Sequence, residues 1–169
     1  MRRTLALSSA LVVALLVLAG CSSVPKPSSA DDCLVLIRTE FNNSTTYPVM
    51  RKYRIGLSTG GQTIQVPTIK SSYITIVLKE PGVVINSITS DVNDASAYGD
   101  SSKGKAKIEL PYKPGFAVVA DFCIVQQMKY GDTPNSFTSG LNLRKIEQFE
   151  KDELLQSLRD GNKLEGWSM

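Results

Sequence analysis

Apolar residues recur at every second position from Asp31 onward, in short runs cut by turn residues. This pattern constrains the fold more than any other feature, because a period of two places one face of a strand in a core. Tyr53, Ile55 and Leu57 alternate with Lys52, Arg54, Gly56 and Ser58, and Ile64 and Val66 resume the alternation after Gly60-Gly61. That glycine pair can supply the positive φ angles of a two-residue hairpin turn. Tyr73 to Leu78 reads as a further strand ended by Glu80-Pro81-Gly82, and Val83 to Ile88 follows. Ala106, Ile108 and Leu110 alternate with Lys105, Lys107 and Glu109.

Two segments depart from simple alternation. Cys33 to Ile37 is apolar throughout, which suits a strand buried on both faces. Phe116 to Met128 is longer than the rest, with Phe116, Val118, Ala120, Phe122 and Ile124 on one face and a mixed set on the other. It follows Tyr112-Lys113-Pro114-Gly115, where proline and glycine stand as a type II turn requires. The polar stretch from Asp91 to Gly104 reads as a long loop and Asn135 to Gly140 as a second loop, with Leu141 to Ile146 as the last strand. One helix is expected, from Asp152 as its cap to Asp160-Gly161, with Leu154, Leu155 and Leu158 as an apolar stripe that would pack against an open face or edge of the sandwich or, alternatively, receive a partner. About 7–8 short strands and one C-terminal helix, without βαβ alternation, predict an antiparallel β-sandwich. Residues 32–148 would form the sandwich and residues 149–169 the helix and tail.

The amino terminus follows another logic. Arg2 and Arg3 precede an apolar stretch from Leu5 to Leu18 broken only by Ser8 and Ser9. The continuous apolar run from Ala10 to Gly20 falls short of the ~20 residues that cross a bilayer as a helix. Leu18-Ala19-Gly20-Cys21 resembles the lipobox of bacterial lipoprotein precursors. The resemblance implies that residues 1–20 are a signal peptide, cleaved before Cys21. Cys21 would then carry diacylglycerol on sulfur and an acyl chain, such as palmitate, on its amino group. One chain anchors a protein only marginally, whereas two or three hold it durably. Ser22 and Ser23 supply no acidic residue after the cysteine, which in a Gram-negative host points to the outer membrane and the periplasm. Residues 21–31 contain SSVPKPSSA, a Ser- and Pro-rich stretch that reads as a flexible tether.

Composition narrows the chemistry. The chain has no histidine, so Ser-His-Asp and Cys-His mechanisms and imidazole-dependent zinc sites are excluded. Removing Arg2 and Arg3 from 19 basic residues against 16 acidic ones leaves a charge of about +1. Lys103, Lys105 and Lys107 alternate with small residues as on the solvent side of a strand. No basic stripe exists to follow a phosphate backbone, so nucleic acid is not expected as a partner.

Several residues invite a role. Cys33 and Cys123 are the thiols left once Cys21 is modified, and in an oxidising compartment two such thiols tend to pair. The alternatives are two buried free thiols or a reactive thiol that no histidine activates. Asp91, Asn93, Asp94 and Asp100 offer oxygen atoms, but their spacing departs from the calcium-loop pattern, so no metal is expected. Glu147, Glu150, Asp152 and Glu153 cluster before the helix, where carboxylates favour a helix amino end; a facing carboxylate pair would instead suit glycoside hydrolysis. Tyr98 and Trp167 are the aromatics expected to be exposed, and with Leu154, Leu155 and Leu158 they are candidate contacts for a partner.

Gly60-Gly61, Ser72-Tyr73-Ile74, Leu78 to Val83, Pro114-Gly115-Phe116 and Glu147 to Leu158 together resemble an uncharacterised family of small β-sandwich lipoproteins. That resemblance spans most of residues 33–158 and implies a fold without a biochemistry. The expected function is a membrane-tethered, non-enzymatic interaction or envelope-accessory domain without cofactors, partnered by the membrane through its lipid and by an envelope protein. The alternatives are a small-ligand or glycan binding module and a carboxylate-based hydrolase.

Overall fold

The computed structural model describes residues 24–45, 50–58, 63–68, 72–93, 101–132 and 137–169. Their strands are β1 (Cys33–Asn43), β2 (Met50–Leu57), β3 (Thr63–Thr68), β4 (Tyr73–Leu78), β5 (Val84–Asn93), β6 (Ser101–Glu109), β7 (Ala117–Tyr130) and β8 (Phe137–Lys145). One helix, α1 (Gln148–Asp160), follows them. The strands form two sheets, ordered β4-β1-β7-β8 and β3-β2-β5-β6.

The second sheet is antiparallel at every pairing. The first is mixed: β1 pairs antiparallel with β4 but parallel with β7. This corrects the expectation of a wholly antiparallel fold. Alternation along one strand fixes its faces and carries no information about its neighbour's direction. A parallel neighbour needs a long crossover, and here the chain makes the whole second sheet between β1 and β7.

Each face of the first sheet has its own apolar cluster. Cys33, Val35 and Ile37 of β1, Ile74, Ile76 and Leu78 of β4, and Ala120, Phe122 and Ile124 of β7 share one cluster with Tyr53, Ile55, Leu57, Ile85 and Ile88 of the second sheet. Leu34, Leu36, Ala117 and Val119 point the other way and meet Leu154, Leu158, Leu164, Trp167 and Val24. The five-residue apolar run of β1 is therefore buried on both faces, as its sequence predicts.

Irregularities are local and explicable. Ile85 and Ile88 are three residues apart, yet both enter the shared cluster. The register of β5 slips against both neighbours between Ile85 and Ser87; such a bulge adds one residue and restores the inward side. At the β6–β7 turn Gly115 has φ +75° and the Phe116 N–H donates to the Lys113 carbonyl at 3.1 Å, the type II geometry predicted there. Gly82 of the other Pro-Gly pair has φ +77°. Gly60-Gly61 lies outside the described residues, and Gly56↔Thr63 pairing brings β2 and β3 together on either side of it.

Several boundaries move. β1 runs on to Asn43, and β5 to Asn93, so the stretch read as a long loop from Asp91 begins inside a strand. The polar segment SSKG at 101–104 belongs to β6, with Ser101, Ser102 and Lys103 opposite Asp91, Ser90 and Thr89. β8 begins at Phe137, inside the segment read as a loop. Both are outer strands of their sheets, where polar and charged residues are tolerated because one side meets no neighbour. Helix α1 starts at Gln148 rather than Asp152, with the Glu147 N–H donating to Glu150 Oε2 at 2.9 Å. It closes with a Schellman pair of hydrogen bonds, Lys163 N–H to the Leu158 carbonyl and Asn162 N–H to the Arg159 carbonyl. The left-handed residue there is Asn162, at φ 54°, and not the neighbouring Gly161.

Candidate functional site

Helix α1 lies on the outer face of the first sheet. Leu154 and Leu158 are buried against Leu34, Leu36, Ala117 and Val119, and half-buried Leu155 packs beside them. A helix of 13 residues is marginal alone, so this packing holds it. Trp167 is 6% exposed in the same cluster, and its Nε1–H donates to the Pro25 carbonyl at 2.7 Å. Of the two readings of the leucine stripe, packing within the chain is the one seen for Leu154 and Leu158, while Trp167, expected to be exposed for a partner, is buried as well. Tyr98 lies outside the described residues, as does Cys21.

The segment read as a free tether is fixed from Val24 onward. Val24 is buried with Trp167 and Leu164. Exposed Lys26 pairs with Glu165 at 2.6 Å, and the Pro27 ring lies against Gly166, where an added Cβ would come within 3.1 Å of it. Asp32, 1% exposed, accepts the Ser28 N–H and hydroxyl at 2.7 Å each and the Ser29 N–H at 3.1 Å. Burial pushes the Asp32 carboxyl up, but these donors outweigh it and hold the group below its ordinary range. Tyr112 Oη donates to the Asp31 carbonyl at 2.7 Å. Ser168 adds a parallel bridge beside Phe116. Residues 24–32 and 161–169 thus build one corner of the domain. Its clue in the sequence was a tryptophan set in a polar tail, a side chain costly to leave in water.

The cysteines do not meet. Cys33 neighbours the level of Phe116 on β1, whereas Cys123 stands beside Arg38, five residues farther along that strand. At ~3.3 Å per residue the separation is about 16 Å, beyond the reach of a disulfide. Cys33 also faces the inter-sheet cluster while Cys123 lies with Arg38 and Arg144 on the helix side. Both are buried free thiols, which corrects the expected pairing; apolar neighbours in sequence do not fix strand register. The Lys113 N–H donates to Cys33 Sγ at 3.2 Å, and burial nevertheless raises that thiol. Burial, with the nearby Glu40 charge, raises Cys123 to about 11. At pH 8 roughly a thousandth of Cys123 is therefore thiolate. Native protein should react slowly with a thiol reagent and release two fast-reacting thiols on denaturation, counted by absorbance.

Above Cys123 sits the main charged group of the described residues. Arg144 of β8 grips Glu150 of α1 through two hydrogen bonds, at 2.8 and 2.9 Å, and also bonds Glu40 of β1. Arg38 lies 3.7 Å from Glu40, Glu150 and Glu153. Lys151 of α1 pairs with Asp121 of β7. The acidic cluster before the helix therefore divides: Glu150 is a clamp between helix and sheet, and Glu153 joins it at the rim. Arg144 and the Glu147 N–H hold the Glu150 carboxyl down at about 2.

A carboxylate whose pKa falls on folding stabilises the fold above its unfolded value and loses that contribution as pH falls through the folded one. For Glu150 the window runs from about 4.5 down to about 2. Glu150→Gln should lower stability at pH 7 and flatten the loss between pH 4.5 and 2. Urea melts of both proteins across that range would read it; parallel acid limbs would refute the clamp.

Among the described residues, no group of three His, Cys, Asp or Glu side chains could hold a metal ion. No helix among them is long and apolar enough to cross a membrane. Large exposed apolar side chains that the sequence reading passed over are Phe149 in the first turn of α1, Tyr130 at the end of β7 and Leu143 of β8. No protein-family model matches the chain, and comparison with curated proteins and with solved structures gives no match.

Proposed function

We propose that this chain is a lipid-anchored, non-enzymatic domain of the bacterial envelope, acylated at Cys21 after cleavage of residues 1–20, and that it acts by binding another envelope component. The observation that carries the reading is Leu18-Ala19-Gly20-Cys21 directly after a short apolar stretch led by Arg2 and Arg3. In this reading the two sheets pack face to face as a β-sandwich, supported by the apolar cluster that draws on both. The outer-membrane location follows from Ser22 and Ser23 if the host is Gram-negative.

The disposition of the reactive groups supports binding over catalysis. Histidine is absent from the sequence. The half-buried and buried carboxylates Glu40, Glu150 and Asp32 are each engaged with arginines or with serine hydroxyl and amide donors. Cys33 and Cys123 are buried with raised pKa values, the opposite of what activates a thiol.

Cys21→Ala should abolish fatty-acid incorporation in metabolic labelling and leave the precursor uncut or the protein released from membranes. Labelling that persists in the variant would refute the anchor. Crosslinking of the acylated protein in its own envelope, followed by mass spectrometry, tests for the protein partner.

A further inference from the structure

The two ends of the domain differ in kind. The starts of β1 and β7, the end of β4 and the end of β6 lie together at one end. There Cys33 pairs with Leu78, Leu34 with Ala117, and the Lys113 N–H reaches Cys33 Sγ. The docked corner, residues 24–32 and 161–169, sits at this same end, where Ser168 bridges Phe116. The ends of β1, β5 and β7 and the starts of β2, β6 and β8 lie at the opposite end, as Asn43↔Met128, Met50↔Asn93, Asp91↔Ser101 and Tyr130↔Phe137 pairings require. β7 alone covers 14 residues, so the ends are about 45 Å apart at ~3.3 Å per residue.

From this geometry we infer that the anchored domain stands directly on the bilayer, with the corner of residues 24–32 and 161–169 against the lipid headgroups and the opposite end pointing away. The inference rests on acylation at Cys21. Its basis is length. Val24 is part of the folded body, so only Ser22 and Ser23 separate the acylated cysteine from it. Three residue steps reach at most about 11 Å, whereas a free tether running to Asp31 would have spanned roughly three times as much. An anchor this short cannot lift the corner clear of the headgroup layer, and it fixes which end faces the lipid.

The surface at that end is compatible with its place. Lys26, Lys79, Lys113 and Lys163 are exposed there beside Asp31, Glu80 and Glu165, and Met169 is 44% exposed. Lysines at a headgroup surface are attracted to anionic lipid, and a thioether side chain can enter the boundary. The ends of β1, β5 and β7 and the starts of β2, β6 and β8 are then carried to the outer end, with exposed Tyr130 closing β7 there. A partner in the surrounding compartment would meet that end first.

The test uses the full, acylated protein in vesicles with nickel chelate on their headgroups. Cys33 and Cys123 are buried, so a nitroxide can be placed on Lys163→Cys or, at the other end, on Lys129→Cys. Nickel should relax the Lys163→Cys label severalfold more than the Lys129→Cys label. Twenty Gly-Ser residues inserted between Ser23 and Val24 give a flexible spacer of about 25 Å, and should largely abolish the difference. Equal relaxation at both labels, or a difference that survives the insertion, overturns the proposal. Intact mass of the same samples separates the two readings: acyl chains present with equal relaxation refute only the upright placement, whereas absence of acyl chains refutes the anchor and the placement with it.

Discussion

Leu158→Ala should lower the melting temperature of unacylated mature protein by about 5–15 °C, from a loss of ~2–5 kcal/mol for a buried leucine in a chain of this size. Leu158→Asp should cost more, because an unpaired carboxylate would be forced into an apolar cluster. Leu158 is 2% exposed and meets the outer face of the first sheet. The loss is therefore global: without α1, Leu34, Leu36, Ala117 and Val119 would face water, and those side chains sit on the two central strands of that sheet. Glu153→Ala, at the exposed rim of the same helix, should change the melting temperature little, since exposed ion pairs contribute ~0–1 kcal/mol. Thermal melts followed by circular dichroism would read all three. An unchanged melting temperature in both Leu158 variants would mean that α1 is not part of the folded core.

Trp167→Ala should have a comparable effect on stability, ~3–5 kcal/mol for an aromatic truncated in a core, together with a local signature that Leu158→Ala lacks. The Trp167 indole holds the Pro25 carbonyl, and its ring shares the cluster with Val24. Removing it should release residues 24–31, so that amide exchange and proteolysis there rise under conditions where β1 stays protected. Trp167→Phe keeps the packing and loses the indole donor. It should retain most of the stability but weaken the hold on the segment, since a net hydrogen bond contributes ~0.5–1.5 kcal/mol. Hydrogen exchange read by mass spectrometry resolves these cases. Protection of residues 24–31 that is unchanged in Trp167→Ala would show that the segment is held by something other than the tail.

Much of the fold was legible where a single strand meets a single core. Tyr53, Ile55 and Leu57, or Ile74, Ile76 and Leu78, face inward because alternation is a property of the strand itself. The Pro114-Gly115 turn was legible for a similar reason, since φ near −65° followed by a positive φ is written in two adjacent residues. The outer strands β6 and β8 were harder. Ser, Gly and Lys in 101–105 and Ser139-Gly140 have little strand preference, and what makes them strands is the ladder of hydrogen bonds offered by β5 and β7.

The candidate site was less legible than the fold. Leu154, Leu155 and Leu158 read equally as a stripe awaiting a partner and as a stripe packed at home. The difference lies in Leu34 and Leu36, more than 100 positions earlier. Their partners were invisible because a strand apolar on both faces does not say what covers its second face. Glu150 read as one acid among four at a helix start. Its distinction comes from Arg144 and Arg38, which register and sheet order bring beneath the helix.

The sequence by itself determined which residues of β2 and β4 turn inward, where the Pro-Gly turns fall, that a helix follows the last strand and that histidine chemistry is absent. Each of these is a local property: a period, a dihedral preference, an apolar stripe or a residue count. Tertiary structure alone decided that β1 runs parallel to β7, that Cys33 and Cys123 stand about 16 Å apart on opposite faces, and that Val24 to Asp31 is docked on Trp167 rather than free. Those outcomes depend on pairing between segments 80 to 142 residues apart. Hydrophobic burial rewards any partner of suitable shape without regard to sequence distance. The choice among partners is made by the whole packed chain.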